Sequence, residues 1–534
     1  MKKSSICLTS FPGDVREQLY AASAYCQSNP GATLVIPAGR YVLRDARAAE
    51  IREEVLSGRY GENPEAMMFR PDFPFSIGLD LRGCREITVE AYGAVLLIDG
   101  FMEPIGVRGC TGVTIRGLTI DHVRRPFSEG LIETVDSAGM TVRFREPVSA
   151  SAPVPRAYVY HPRKGRLDYI GLDVGERYAL DAYTLRFCRA ALPAELKGCT
   201  LYCIHTFHFR PGILISHSQN TRLRDVTIHS QPGMGIVGYK SRDISIKRLR
   251  VVPAEGSYIS TNTDATHFAC CSGMIRIENS EFAGHGDDAV NIHSYYYTPV
   301  RQPDDPLDCC TLENRAPTGT HAQEPDIPCV GNRLRLVRKS SLEEADSALY
   351  TVIAAGSASP TRVQLDRPLP ADCSSLLFAN MSELPALLFR NNHVRNHLAR
   401  CVLIKTHNAL VENCLFENSS GTAIHVAAES WWYEGVAAEN VTIRGNTFLH
   451  CGFSGHGRIL DASAIAVNIS ANDPSAVGVQ RNIRILDNRI IGGDCAPVAI
   501  QIHNTRHAKV LRNTFEGFSL RLEQAFSEDI RTDF

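Results

Sequence analysis

A phrase of eight residues recurs through this chain and restricts the folds open to it more than any other feature. In each copy apolar and polar residues alternate, a polar step of the Asn, Gly or Asp type follows, and an apolar residue closes. The clearest copies are VTIRGLTI ending at Ile120, TRLRDVTI at Ile228, ISIKRLRV at Val251 and IRIENSEF at Phe282. Later copies are LLFRNNHV at Val394, ALVENCLF at Phe416, VTIRGNTF at Phe448, IRILDNRI at Ile490 and AKVLRNTF at Phe515. Alternation over so short a run is a strand signal, because a helix repeats its apolar residues every three or four positions. Uninterrupted copies close 23 (Ile228 to Val251), 22 (Val394 to Phe416) or 25 (Ile490 to Phe515) residues apart.

Repeats of that length mark solenoids. One coil holds three short strands joined by turns, and the inward Val, Ile, Leu and Phe of successive coils stack into a continuous core. An antiparallel sandwich also has evenly spaced short strands, but its strands have no reason to match one another phrase by phrase. The expected fold is all-β, a right-handed parallel β-helix. Asparagines at the turns (Asn279, Asn392, Asn413, Asn446, Asn488, Asn513) tolerate the left-handed conformation and can hydrogen-bond locally.

A solenoid needs its open end covered. Residues Asp14 to Gln27 read as an amphipathic capping helix, followed by the strand TLVIPAGRYVL. Two gaps break the rhythm, from Ile120 to Ile228 and from Phe282 to Val394, and each carries alternating strands with hairpin-type turns. Each is expected to hold a small inserted β-barrel-like domain, while residues 302–330, rich in Pro and Asp, read as an irregular loop. The expected organisation is a β-helix over 1–124, 211–296 and 385–534, with insertions at 125–210 and 297–384.

Composition narrows the partners. A net charge of −2 gives no basic surface for nucleic acid, and no apolar run approaches the ~18 residues of a membrane span. The N-terminus MKKSSICLTSFPGD has no apolar segment of a secretory signal, and seventeen scattered cysteines favour a reducing compartment; a cytoplasmic location is expected. At least one cysteine of an odd set is free. No cofactor motif stands out.

The chemistry concentrates between Ser260 and Ser294. Asp264 lies in NTDA, and Asp287 and Asp288 lie in GHGDDAVNIH, 23 and 24 residues later. That is one coil, and in a parallel solenoid one coil means neighbours about 4.8 Å apart. Clustered carboxyls repel, so at least one stays protonated near neutrality. Glycoside hydrolysis requires that pair of states, a proton donor for the leaving oxygen and a base or nucleophile. A lone Asp-Asp dipeptide is commonplace in turns; a third aspartate one coil away, with Asn262 and His293 nearby, is not. His285 and His293 are each equally readable as structural histidines. The spacing matches no ordered metal-ligand motif, so no metal is expected.

A second patch follows in ARCVLIKTHNALVENCLFENSSGTAIHVAAESWWYEG. It holds the only tryptophans, Trp431 and Trp432, between Glu429 and Glu434. On a strand neighbours face opposite sides, so one of the two leaves the core, either to stack on a sugar or to cover the joint with an insertion. Arg400 and Lys405 face the same groove or are ordinary solvated charges.

These blocks, with LTIDHVRRPFSEG (118–130), resemble glycoside hydrolase family 110, the α-1,3-galactosidases acting on terminal galactose of glycans, over most of the chain. The resemblance implies a β-helix with inserted β-barrel domains and an inverting hydrolysis through aspartates, here Asp264, Asp287 and Asp288. In the sequence-level assignment one member of the Asp287–Asp288 pair protonates the leaving oxygen and the other two carboxyls orient the water. The substrate is then an oligosaccharide or glycan, and insertions that narrow the groove favour a terminal sugar. Two departures stand: the expected export signal is absent, and AAESWWYEG is only similar to the family's form. NTD, GDD and Ile404–Lys405–Thr406 also resemble the polygalacturonases of family 28, whose Gly-His-Gly follows GDD by about one coil. Here that place holds the second insertion, and the Gly455–Gly457 segment falls far downstream. A non-catalytic glycan-binding β-helix is the rival from outside the enzymes.

Overall fold

The computed structural model describes residues 4–169, 175–317, 319–454, 462–493 and 495–534, so Gly455–Gly457 lies outside the described residues. The chain winds as a β-helix with three parallel faces. Among the described residues the first face has thirteen strands, from Ser5–Cys7 to Glu528–Thr532, and the second has eleven, from Gly39–Arg44 to Thr514–Glu516. The third runs from Ile77–Asp80 to Leu520–Ala525.

The eight-residue phrase is the corner between the first two faces. Its opening residues form the first-face strand, as in Ser272–Glu278, and its last ones the second-face strand, as in Glu281–Ala283. The fifth residue makes the bend with positive φ, from 53° at Asn279 to 79° at Gly117. The sixth turns inward, and this splits the expected asparagines into two groups. Asn279 and Asn413 occupy the left-handed bend. Asn392, Asn446, Asn488 and Asn513 sit one step later, and at these corners the bend falls to Asn391, Gly445, Asp487 and Arg512.

The inward asparagines bond mainly between coils, with Asn513 adding a local bond to the Leu511 carbonyl at 3.2 Å. Asn446 Oδ1 accepts from the Cys414 amide at 2.9 Å while its Nδ2 donates to the Val411 carbonyl at 3.1 Å. Asn488 does the same one coil on, for the Asn446 amide at 3.0 Å and the Ile443 carbonyl at 3.0 Å. At a corner the backbone leaves its ladder, and buried amides need another partner. The asparagines supply it. Beside them Phe282, Phe389, Phe416 and Phe448 stack through the core with ring centroids 6.1, 6.3 and 5.1 Å apart.

The N-terminal lid is the helix Val15–Ser28, opened by a reciprocal capping box between Asp14 and Glu17. It lays Leu19, Ala22 and Cys26 over the open end. A second helix, Ala46–Leu56, buries Ile51 and Val55 against Phe101 and Phe209. All seventeen cysteines are free thiols. Among the described residues no helix is long and apolar enough to cross a membrane.

Both gaps are antiparallel β insertions. The first is a seven-stranded sheet from Phe127–Asp136 to Thr200–Ile204, with one face packed on its own core of Ile132, Val142, Val159, Phe187 and Leu201. Its other face docks Tyr158 and Tyr202 onto Ile259 and Leu398 of the β-helix. In the second, six strands close into a barrel in the order Val290–Val300, Cys309–Asn314, Thr361–Leu365, Glu344–Ala355, Arg333–Arg338, Leu376–Asn380. The strand Val290–Val300 belongs to both bodies. Its start pairs in parallel within the third face and its end pairs antiparallel in the barrel.

Candidate functional site

The cluster forms where that shared strand leaves the β-helix. Third-face register pairs Thr266 with Val290 and Val290 with Val402. Asp264, Asp288 and Arg400 each stand two residues before those positions, so they stack as one column on three coils. The Asp288 amide donates to Asp264 Oδ1 at 3.1 Å, and the Arg400 amide donates to Asp288 Oδ1 at 3.0 Å. Asp287, next to Asp288, joins the column from the turn, and one oxygen from each of the three aspartates lies within 4.8 Å of the others.

The three carboxyls meet different surroundings. Asp288 is buried and gripped by the Arg400 guanidinium, Nε to Oδ1 at 2.9 Å and Nη2 to Oδ2 at 2.9 Å. Asp264 is buried too, where burial and the charges of Asp287 and Asp288 hold its proton well above the usual carboxylate range. Asp287 is partly exposed. Desolvation, and then the Asp288 charge, push it up to about 7.

A ring of buried charge closes behind the column. Arg400 Nη1 lies 3.6 Å from Glu429 Oε1, and Lys405 bridges Glu429 and Glu434. Glu434 Oε1 lies 3.8 Å from Nε2 of both His293 and His321. His293 Nε2 contacts His267 Nε2 at 2.8 Å, and His267 Nδ1 returns to Asp264 Oδ2 at 2.7 Å. Burial alone would discharge Lys405, but Glu429 and Glu434 raise it above its ordinary value. His293, then Lys405, His321 and His267, hold Glu434 well below the carboxylate range despite its burial. The histidine trio His267, His293 and His321 and the aspartate trio each bring ligand-type atoms within 4.8 Å of one another. In the histidine trio His267 and His293 share a direct hydrogen bond between their Nε2 atoms.

The insertions wall the cluster. Tyr158 and Tyr169, edge to face at 5.7 Å, come from the first; burial, with Asp287 nearby, holds both phenols well above their ordinary value. His321 comes from the loop between the barrel strands Cys309–Asn314 and Arg333–Arg338 and lies 5.3 Å from His208, whose Nδ1 meets Glu65 at 3.0 Å. Phe69 packs beside both rings.

Other expected residues divide. Asn262 turns its amide to the Thr206 carbonyl at 2.7 Å, away from the carboxyls, and its buried Oδ1 has no hydrogen-bond partner. His285 donates to the Asp287 carbonyl at 2.7 Å, holding that turn from below. Trp431 and Trp432 are not on a strand. They form the tip of a turn between Glu429 and Glu434, which pair across it, so both are exposed, at 66% and 41%. Sequence reasoning missed His267 and His321. His267 was within reach, three residues after Asp264; His321 lies in the stretch that reads as irregular loop, where no local pattern marks it.

A family model described as the right-handed β-helix region matches residues 376–521. The chain is similar to α-1,3-galactosidase B of Akkermansia muciniphila, 26% identical over 475 residues, which cover 82% of this chain and 57% of that protein. It therefore spans little more than half of that relative. It is also similar to α-1,3-galactosidase A of Bacteroides fragilis, 28% identical over 504 residues, 88% of this chain and 80% of the relative. Among solved structures, the A-module of the Azotobacter vinelandii mannuronan C-5 epimerase AlgE6 aligns over 99% of both chains at 12% identity, with a TM-score of 0.44. The β-helix is thus related to α-1,3-galactosidases at the distance of 24–28% identity.

Proposed function

We propose that this protein is a glycoside hydrolase that removes a terminal α-1,3-linked galactose from a glycan. The carrying observation is the contrast between two adjacent residues. Asp287 is partly exposed and raised to about 7, whereas Asp288 is clamped as a carboxylate by Arg400. Asp287 then donates its proton to the leaving oxygen, and Asp264 and Asp288 hold the attacking water between them. Trp431 and Trp432 offer an apolar platform for a sugar face. Tyr158 and Tyr169 of the first insertion crowd Asp287, which suits a terminal sugar better than a long chain. The relatives' names point to the same linkage. Family 28-like pectin hydrolysis fits less well, because Arg400 and Lys405, the ring's two cations, already pair with carboxylates.

Stereochemistry follows from where the water sits. Inverting pairs that flank a sugar stand ~6.5–9.5 Å apart. The aspartate oxygens here approach within 4.8 Å, so inversion requires water and leaving group to share one side of the cluster. Defined α-1,3-, α-1,4- and α-1,6-galactosides and polygalacturonate are assayed side by side, with the first-formed product anomer followed by NMR. Release of β-galactose from the α-1,3 substrate is the expected result. Turnover of polygalacturonate alone, or none of any substrate, overturns the reading.

A further inference from the structure

The ring contains a hydrogen-bond chain whose directions are fixed from one end. The Ser294 carbonyl can only accept, so His293 Nδ1, 2.9 Å away, carries a hydrogen. A neutral His293 then presents a bare Nε2, and His267 Nε2–H donates to it across 2.8 Å. That leaves His267 Nδ1 bare, facing Asp264 Oδ2 at 2.7 Å. A bare nitrogen and a bare carboxylate oxygen repel at that distance, so the bond needs a hydrogen on Asp264.

We infer that His267 and His293 are positioning residues that hold Asp264 as the permanently protonated member of the trio. The deduction deepens the proposed function and rests on it for its catalytic meaning. The proton count of the chain is the same if the proton moves onto either ring, leaving Asp264 charged. The surroundings decide against that. The groups facing His267 are the rings of His293 and His321, the Lys405 ammonium and Glu434, and that carboxylate is already claimed by Lys405. On the other side, Asp264 faces the carboxyls of Asp287 and Asp288, and the Arg400 guanidinium there is spent on Asp288. Burial opposes the imidazolium and the carboxylate alike.

The consequence is a division of labour. With its hydrogen locked toward His267, Asp264 has only Oδ1 free to face the cluster, as a neutral acceptor steadied by the Asp288 amide at 3.1 Å. It orients water without competing for the water's proton. Asp288 is left as the sole charged carboxyl and takes that proton, while the Asp287 proton passes to the leaving oxygen.

An asparagine reproduces a protonated aspartic acid closely, with its amide donating to His267 Nδ1 and its carbonyl accepting at the other side. Asp264→Asn and Asp288→Asn both touch the water site, but the first should lower kcat at least about tenfold less than the second, which should lose ~10²-fold or more. Equal damage from both overturns the inference. On the unaltered protein, 15N NMR of labelled histidines, assigned with His267→Gln and His293→Gln, should show His267 as the Nε2–H tautomer and His293 as the Nδ1–H tautomer, both neutral. An imidazolium at either ring, a His267 Nδ1–H form, or metal-shifted Nε2 signals with stoichiometric metal overturns it. If the wild type cleaves no glycoside, the proposed function fails, and the tautomers still decide the chain.

Discussion

Arg400 holds Asp288 through both carboxylate oxygens at 2.9 Å, while Asp287, the adjacent residue, has no such partner among the described residues. One peptide bond thus separates a carboxyl held by a guanidinium from one that keeps its proton to about 7. Glycosidases need such a pair of unlike acids, and here the difference arises from a neighbouring coil rather than from the residues themselves. The stacked register delivers Arg400 to one carboxyl only.

A proton donor with a pKa of about 7 works only while protonated, so its loss shapes the alkaline side of the profile. On the terminal galactoside kcat/KM is expected to hold below pH 7 and to fall about tenfold per unit above it. Asp287→Asn should lose ~10²–10⁴-fold in kcat on a natural glycoside and much less on a dinitrophenyl galactoside, whose leaving group needs no proton. An unchanged alkaline limb in that variant would assign the limb elsewhere.

The same shift carries a stability consequence of definite sign. The carboxyl of Asp287 is raised from about 3.9 in the unfolded chain to about 7 in the folded one, so folding binds its proton. Its stabilising share is complete below the unfolded value and is lost as pH rises to about 7. Asp287→Asn removes this dependence. The Tm of the variant minus that of the wild type should therefore grow more positive from pH 4 to pH 8, measured by calorimetry at fixed ionic strength. A difference that shrinks over that range contradicts the raised pKa.

Lys405 is a buried cation with two buried carboxylates on it. Lys405→Met keeps the stem and removes the charge, leaving Glu429 and Glu434 to repel across their turn. Breaking a buried pair from one side costs ~3–5 kcal/mol, and urea unfolding should show a loss of that size. A loss below ~1 kcal/mol would mean that the ring is solvated and screened. Adding Glu429→Gln to the variant should recover part of the loss.

The solenoid was legible because its signal is repeated. Nine copies of one phrase outvote any single ambiguous turn, and the same spacing places Asp264 one coil from Asp287 and Asp288. The ring behind them was legible only in pieces. Glu429, Lys405 and Glu434 stood out by type, but their pairing depends on a turn, and the alternation rule applied to Trp431 and Trp432 fails once the chain leaves the strand. His321 reaches the cluster from an insertion loop, so only the tertiary fold brings it to His293. The asparagines show a third kind of limit. Their type was informative, but a shift of one position within the phrase changes the task from bending the chain to bonding the next coil.

That shift makes the last prediction. Asn413 sits at φ 54°, a conformation glycine adopts without strain, and its neighbour Cys414 is the residue that points inward. Asn413→Gly should therefore change stability by less than ~1 kcal/mol. Asn446 lies one position later in its own coil, inside the core, where its side chain satisfies the Cys414 amide and the Val411 carbonyl. Asn446→Ala strands both groups away from water, at ~1–3 kcal/mol for each. Urea unfolding of the two variants at one pH separates the roles, because a bend and a bond fail differently. If Asn413→Gly proved the costlier change, the fifth position of the phrase would be bonding the coils and the sixth merely filling space.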